Sequence, residues 1–188
     1  FTGKQKLKFL GIENTDLFLI SPDIFEDNRG YFFESFNCLK YEKQLKQKIN
    51  FVQDNESKST IGVLRGLHYQ LEPFSQSKLV RVIEGEIIDV VVDVRKNSPN
   101  FGKHWKFNIS SENKRQLFIP KGYAHGFLTL SLNAIVSYKV DQYYSPTHER
   151  TIIWNDMFLD IDWGIDQSRV KVSSKDNSGA PFLDTLYL

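Results

Sequence analysis

The 188 residues carry 40% hydrophobic and 25% charged side chains, the balance of a soluble globular chain long enough to bury a real core. Lys and Arg total 24 against 23 Asp and Glu, a net charge of +1, so no global basic field points to nucleic acid and any anion recognition must be local. No apolar run approaches the roughly 20 residues of a membrane helix, no secretory signal stands out, and the lone Cys38 rules out an intramolecular disulfide and fits a reducing, cytoplasmic setting. A single domain over 1–188 is expected, with 1–10, which open on Phe1 rather than Met, an N-terminal extension or a cloning remnant.

Taken in order, Leu17 to Ser21 reads as a strand closed by Pro22, and Asp27-Asn28-Arg29-Gly30 as a turn of residues that tolerate left-handed backbone. Tyr31 to Phe36 is aromatic and extended. One helix is expected from about Leu39 to Lys48, with Asn37 as N-cap and Leu39, Leu45 and Ile49 on one side. Phe51 to Ser59 and Val63 to Gln70 are extended and joined near Gly62. Lys78 to Ile83 and Ile87 to Val94 flank Glu84-Gly85-Glu86, a hairpin signal. A turn at Asn97-Ser98-Pro99-Asn100 precedes strands at Lys103 to Ile109, Gln116 to Ile119, Ala124 to Thr129 and Ala134 to Val140. Many short strands, regular turn signals and one helix predict an all-β sandwich or jelly roll with a few short helices, whose interior is a natural small-ligand site.

Within Val63-Leu64-Arg65-Gly66-Leu67-His68-Tyr69-Gln70, a histidine, able to take a proton near neutral pH, lies close to an arginine, suited to gripping phosphate. On a regular strand Leu64, Gly66, His68 and Gln70 share one face, and Arg65 and His68 point oppositely. Both reach one pocket only if Gly66 marks a bulge or bend. Taken singly, His68 and His125 read as core histidines, Tyr138 as a packing residue, Asp176 as a loop carboxylate, and Arg29 and Arg65 as surface charges. A metal site is poorly supported. His68-Tyr69-Gln70 lacks the second histidine of a His-x-His pair, and His104, after a turn, reads as a surface position.

Together the motifs resemble a family. From about Leu17 to Phe182 the chain is similar to dTDP-4-dehydrorhamnose 3,5-epimerases, cupin-type enzymes of dTDP-L-rhamnose synthesis. The segments that carry the likeness are 27–36, Phe51-Val52-Gln53-Asp54-Asn55, 64–70, Lys78-Leu79-Val80-Arg81-Val82, 119–127, Tyr138-Lys139, Tyr143-Tyr144-Ser145-Pro146, Ile161-Asp162-Trp163 and Ser174-Lys175-Asp176. The resemblance implies a cupin-type jelly roll and, at matching positions, His68 as general base oriented by Asp176, with Tyr138 as acid on the opposite face. It implies Lys78 as oxyanion partner with His125 nearby, Arg65 on the diphosphate, Gln53, Asn55 and Lys175 on the substrate, and Tyr144 against the nucleotide-sugar. It also implies a homodimer with strand exchange, in which Arg29 and Glu34 complete the neighbour's site. The substrate would be a dTDP-4-keto-6-deoxy sugar, with no metal or other cofactor, because the 4-keto group itself makes the adjacent C–H acidic. Three alternatives stay open: a single-carbon epimerase on a related nucleotide keto sugar, a metal-dependent cupin enzyme, and a non-catalytic sugar-nucleotide binding module.

Overall fold

The structure, a computed structural model, describes residues 2–5, 7–185 and 187. In chain order the strands are β1 (Thr2–Gln5), β2 (Lys8–Gly11), β3 (Phe18–Ser21), β4 (Ile24–Asp27), β5 (Gly30–Phe33), β6 (Gln53–Thr60), β7 (Leu64–Gln70), β8 (Lys78–Glu84), β9 (Glu86–Asp93), β10 (His104–Ser110), β11 (Gln116–Ile119), β12 (Tyr123–Thr129), β13 (Asn133–Val140) and β14 (Glu149–Thr151). Helix α1 (Cys38–Leu45) follows β5, and α2 (Ser174–Asn177) is a single turn near the C-terminal end.

A six-stranded sheet, β2-β3-β11-β8-β13-β6, packs on a five-stranded sheet, β10-β9-β12-β7-β14, with antiparallel pairing throughout both. This is the expected all-β jelly roll. Its inner layer draws Val80, Val82, Leu117 and Val136 from one sheet and Ile87, Val91, Phe107 and Phe127 from the other, the alternate residues that a pleated strand turns to one face. A second apolar cluster lies on the outer face of the five-stranded sheet, where Leu64, Leu67 and Tyr69 meet Trp154, Trp163 and Phe182 of the C-terminal segment. A third seats α1 through Tyr41 and Leu45 against Ile20, Leu79 and Phe118. A small sheet, β1-β4-β5, stands apart in the pairing.

At the N-terminal end β1 pairs with β4, and β2 pairs with β3 through Lys8↔Ser21. Several local expectations change. Helix α1 is capped as expected, the Asn37 side chain accepting from the Lys40 N–H, but it ends at Leu45 because Lys46 turns left-handed at φ 56. Leu39, expected on the buried side, is exposed, and Tyr41 takes its place in the core. The largest correction is at Glu84-Gly85-Glu86. Strands β8 and β9 lie in different sheets, so this is a corner between layers, not a hairpin. Gly85 has φ 81, and a Cβ there would sit 2.1 Å from the Asn133 carbonyl oxygen. The crossing after β6 near Gly62 likewise changes sheets.

Candidate active site

The cleft opens between the two sheets, where β6, β8 and β13 face β7, β12 and β14. Two adjoining cavities of about 280 and 320 Å³ share His68, Lys78, Tyr138, Tyr144 and Glu149 as walls. Gln53 and Asn55 line one; Arg65, His125, Lys175 and Asp176 line the other.

Strand β7 reaches this geometry through a bulge. Against β12, His68 pairs with His125 and Arg65 with Phe127, so three steps on β7 oppose two on its partner. Gly66 takes φ +118, and a Cβ on it would lie 2.6 Å from the Gly126 Cα and 2.7 Å from the His125 carbonyl oxygen. The extra residue resets the alternation. Leu64, Leu67 and Tyr69 now pack outward in the second cluster, while Arg65 and His68 both line the cleft. The sequence expectation that Leu64 and His68 share a face fails for this reason, and the expected bend at Gly66 is present.

His68 Nε2 lies 2.6 Å from Asp176 Oδ1. The carboxylate is fixed at its other oxygen by the Gly66 N–H at 3.2 Å, and its residue sits on α2, whose Ser173 hydroxyl accepts from the Asp176 N–H. Burial pushes the Asp176 carboxyl up, but the His68 hydrogen bond and charge, the Gly66 N–H and Lys175 outweigh it and hold the group below its ordinary value. An ionised Asp176 makes Nε2 the protonated nitrogen. Nδ1, without a hydrogen-bond partner among the described residues, is then the bare acceptor. The His68 side chain is 27% exposed, enough for a substrate proton to reach it.

Lys78 is buried at the start of β8, and burial pushes its ammonium down to about 8 against the opposing pull of Asp89 and Glu149. Tyr138 pairs with Asn55 across β13 and β6. Burial raises its phenol above the ordinary value, Arg65 opposes this and Glu149 adds to it, so the hydroxyl keeps its proton at neutral pH. His125 Nε2 meets Asp89 Oδ2 at 2.8 Å. Arg65 donates to Ser59 Oγ at 3.0 Å and to the Lys58 carbonyl at 3.2 Å. Gln53 Nε2 donates to Asn55 Oδ1 at 2.8 Å. One ionisable pair suited to moving protons, one buried cation and several polar side chains therefore converge on a single space. Among the described residues no group of three His, Cys, Asp or Glu could hold a metal ion.

The family model for dTDP-4-dehydrorhamnose 3,5-epimerase matches residues 12–184. The chain belongs to this family. A dTDP-4-dehydrorhamnose 3,5-epimerase of Shigella flexneri is 51% identical over 93% of this chain and 96% of its own. The crystal structure of the Elizabethkingia anophelis enzyme superposes with a TM-score of 0.92 at 44% identity, covering 96% of this chain and 99% of that one. A Legionella pneumophila relative, 44% identical with TM-score 0.91 over 95% and 94% of the two chains, was solved in complex with dTDP-4-keto-L-rhamnose. The chain is accordingly an epimerase, and its jelly roll is that of the family.

Of the residues singled out from the epimerase resemblance, ten line the two cavities. Arg29 and Glu34 do not. Arg29 sits in the β4–β5 turn with its guanidinium on Asp27, and Glu34 holds Lys40 and Asn37 at the start of α1. Sequence reasoning missed Glu149. It accepts from Lys175 and, at 2.8 Å, from the Tyr144 hydroxyl. Burial pushes its carboxyl up, but these two donors bring it below its ordinary value. Nothing in Thr147-His148-Glu149-Arg150 marks the residue; β14 pairing with β7 puts it there. Asp89 was also missed, although a carboxylate inside the β-branched run 87–94 is a legible signal of a buried charge.

Proposed function

We propose that the chain inverts C3 and C5 of dTDP-4-dehydro-6-deoxy-D-glucose to give dTDP-4-dehydro-L-rhamnose. His68 Nδ1 takes the proton from the carbon next to the 4-keto group. The electron pair moves into an enolate whose charge falls on the keto oxygen, beside the Lys78 ammonium. Tyr138 returns a proton to the opposite face of that carbon, the ketone re-forms, and the stereocentre is inverted. Asp176 keeps His68 in the Nε2–H tautomer and stabilises the imidazolium. Arg65 serves the diphosphate, Gln53, Asn55, His125 and Lys175 the remainder of the substrate, and Tyr144 packs on the nucleotide-sugar.

The observation that carries this reading is the 2.6 Å His68–Asp176 contact in a cleft also lined by Tyr138 and Lys78. A general acid–base step typically supplies about 10²–10⁴-fold, and pre-aimed cationic stabilisation about as much again. The test is solvent deuterium uptake at C3 and C5, read by NMR. Exchange at both carbons is expected from the wild-type protein and none from His68→Ala. Undiminished exchange in the variant would sink the mechanism, and label at one carbon alone would make this a single-carbon epimerase.

The reading includes a homodimer with strand exchange and a cytoplasmic location. Tyr31 and Phe32 on β5 are 57% and 62% exposed, aromatic surface that a partner would cover. On the same hairpin Arg29 would then reach the neighbour's cleft, with Glu34 just beyond it. The lone cysteine fits a reducing compartment.

A further inference from the structure

Asp89 lies midway along β9, an interior strand of the five-stranded sheet, and has no solvent exposure. Its strand neighbours two residues away, Ile87 and Val91, belong to the inter-sheet core, so its side chain shares that inward face. From the opposite sheet, Val80 and Val82 point into the same layer, and Lys78 precedes them on the same alternation. A buried carboxylate thus faces the layer into which a buried ammonium projects. One carboxylate oxygen accepts from His125 Nε2; the other, Oδ1, has no hydrogen-bond partner among the described residues. A buried carboxylate satisfied by one hydrogen bond is costly unless a cation compensates it, and a buried lysine is costly unless an anion does.

Of the other charges around Lys78, only Glu149 also favours the ammonium, and less than Asp89 does. Along its own sheet it pairs with Ile119 on β11 and Val140 on β13, and β10 turns Phe107 and Ile109 inward. Glu149 on β14 divides its charge between Lys175 and Tyr144. Asp176 is committed to His68. Arg65 and Lys175 are cations that work against the ammonium, His125 is tied to Asp89 itself, and Tyr138 keeps its phenolic proton.

We propose that Asp89 is a positioning residue that acts through Lys78: a fixed buried anion, anchored by His125, that keeps the lysine in its charged form before substrate arrives. The proposal rests on the reading of Lys78 as the oxyanion partner. The chemical consequence is direct. An enolate oxygen beside an ammonium is neutralised as it forms, whereas a neutral amine offers no such field.

The test compares pH profiles of kcat/KM for wild type and Asp89→Asn, which keeps shape and removes charge. The wild-type alkaline limb should fall near pH 8, where burial already places Lys78. In Asp89→Asn it should move at least one unit toward acid, about a tenfold loss at pH 8, with a much smaller loss near pH 6. An unmoved limb, or an equal loss at every pH, overturns the proposal. Lys78→Met separates the two readings: if it retains deuterium exchange, the role of Lys78 itself fails, while an inert Lys78→Met with an unmoved Asp89→Asn limb defeats only the role of Asp89. Should Asp89→Asn not fold, Asp89→Ser takes its place. The same acid shift of the alkaline limb is expected, and an unmoved limb overturns the idea.

Discussion

Two histidine–carboxylate pairs sit side by side in this cleft, and they are built for different work. His68 and His125 are direct partners across β7 and β12. Each presents Nε2 to an aspartate, at 2.6 and 2.8 Å. The difference is where the aspartate comes from. Asp176 arrives on a capped turn outside the sheets and leaves its histidine 27% exposed, whereas Asp89 lies inside the barrel wall and its histidine is 7% exposed. A proton acceptor must meet solvent or substrate; a fixed electrostatic group can do its work while buried. Burial alone thus fits the first pair to the proposed role of base and the second to the proposed role of anchor.

The sharpest way to break this comparison is to exchange the roles. His68→Asn should lower kcat by about 10²–10⁴, the worth of a general base. His125→Asn, which removes an anchor, should cost only about 10–10². A reversed order, read from steady-state rates, would make His125 the base. Next in size is Gly66→Ala. The strand ladder joins both pairs at this residue, and its φ +118 and the 2.6 Å approach to the Gly126 Cα leave no room for a methyl group. About 3–4 kcal/mol of stability should be lost, roughly 10 °C in Tm by calorimetry. A variant that melts with wild type would mean that the backbones do not meet there.

Lys78 ties the pairs together and gives a pH signature. Its folded value of about 8 lies below the 10.5 of an ordinary lysine, so between these the unfolded chain binds more protons. The burial penalty is fully present below pH 8 and fades as pH rises towards 10.5, so this group makes stability increase with pH in that window. Activity should run the opposite way, falling above about pH 8 as the ammonium is lost. Lys78→Arg, which stays charged, should remove both trends in denaturant melts and rate profiles. The smallest signal concerns the third element of the cleft, the hairpin expected to come from a partner. Inactive Arg29→Ala and His68→Asn proteins, mixed and allowed to exchange subunits, should recover about a quarter of wild-type activity, since half the dimers carry one intact site of two. No recovery would confine each site to one chain.

Local chemistry was readable from residue order. Asn37 announces the start of α1 because its side chain can satisfy a backbone N–H that the first turn leaves free. The turn at 27–30 follows from Asn28 and Gly30. The need for a bend at Gly66 followed from arithmetic, since Arg65 and His68 are an odd number of residues apart. The hairpin reading at Glu84-Gly85-Glu86 failed because alternation and a glycine are the same whether the chain folds back beside itself or crosses to the facing sheet. Only the pairing of β8 with β11 and β13, and of β9 with β10 and β12, distinguishes them.

Residue order by itself therefore determined an all-β chain and its single capped helix of more than one turn, while the candidate acid–base set of His68, Tyr138, Lys78 and Asp176 came from the resemblance to the epimerase family. Tertiary structure alone decided which sheet each strand joins, that Glu149 enters the cleft, and that Asp89 and Lys78 share one buried layer. The physical reason is range. Caps, turns and bulges are settled by atoms a few residues apart, while the ionisation of a buried group depends on charges brought close by pairing across the whole chain.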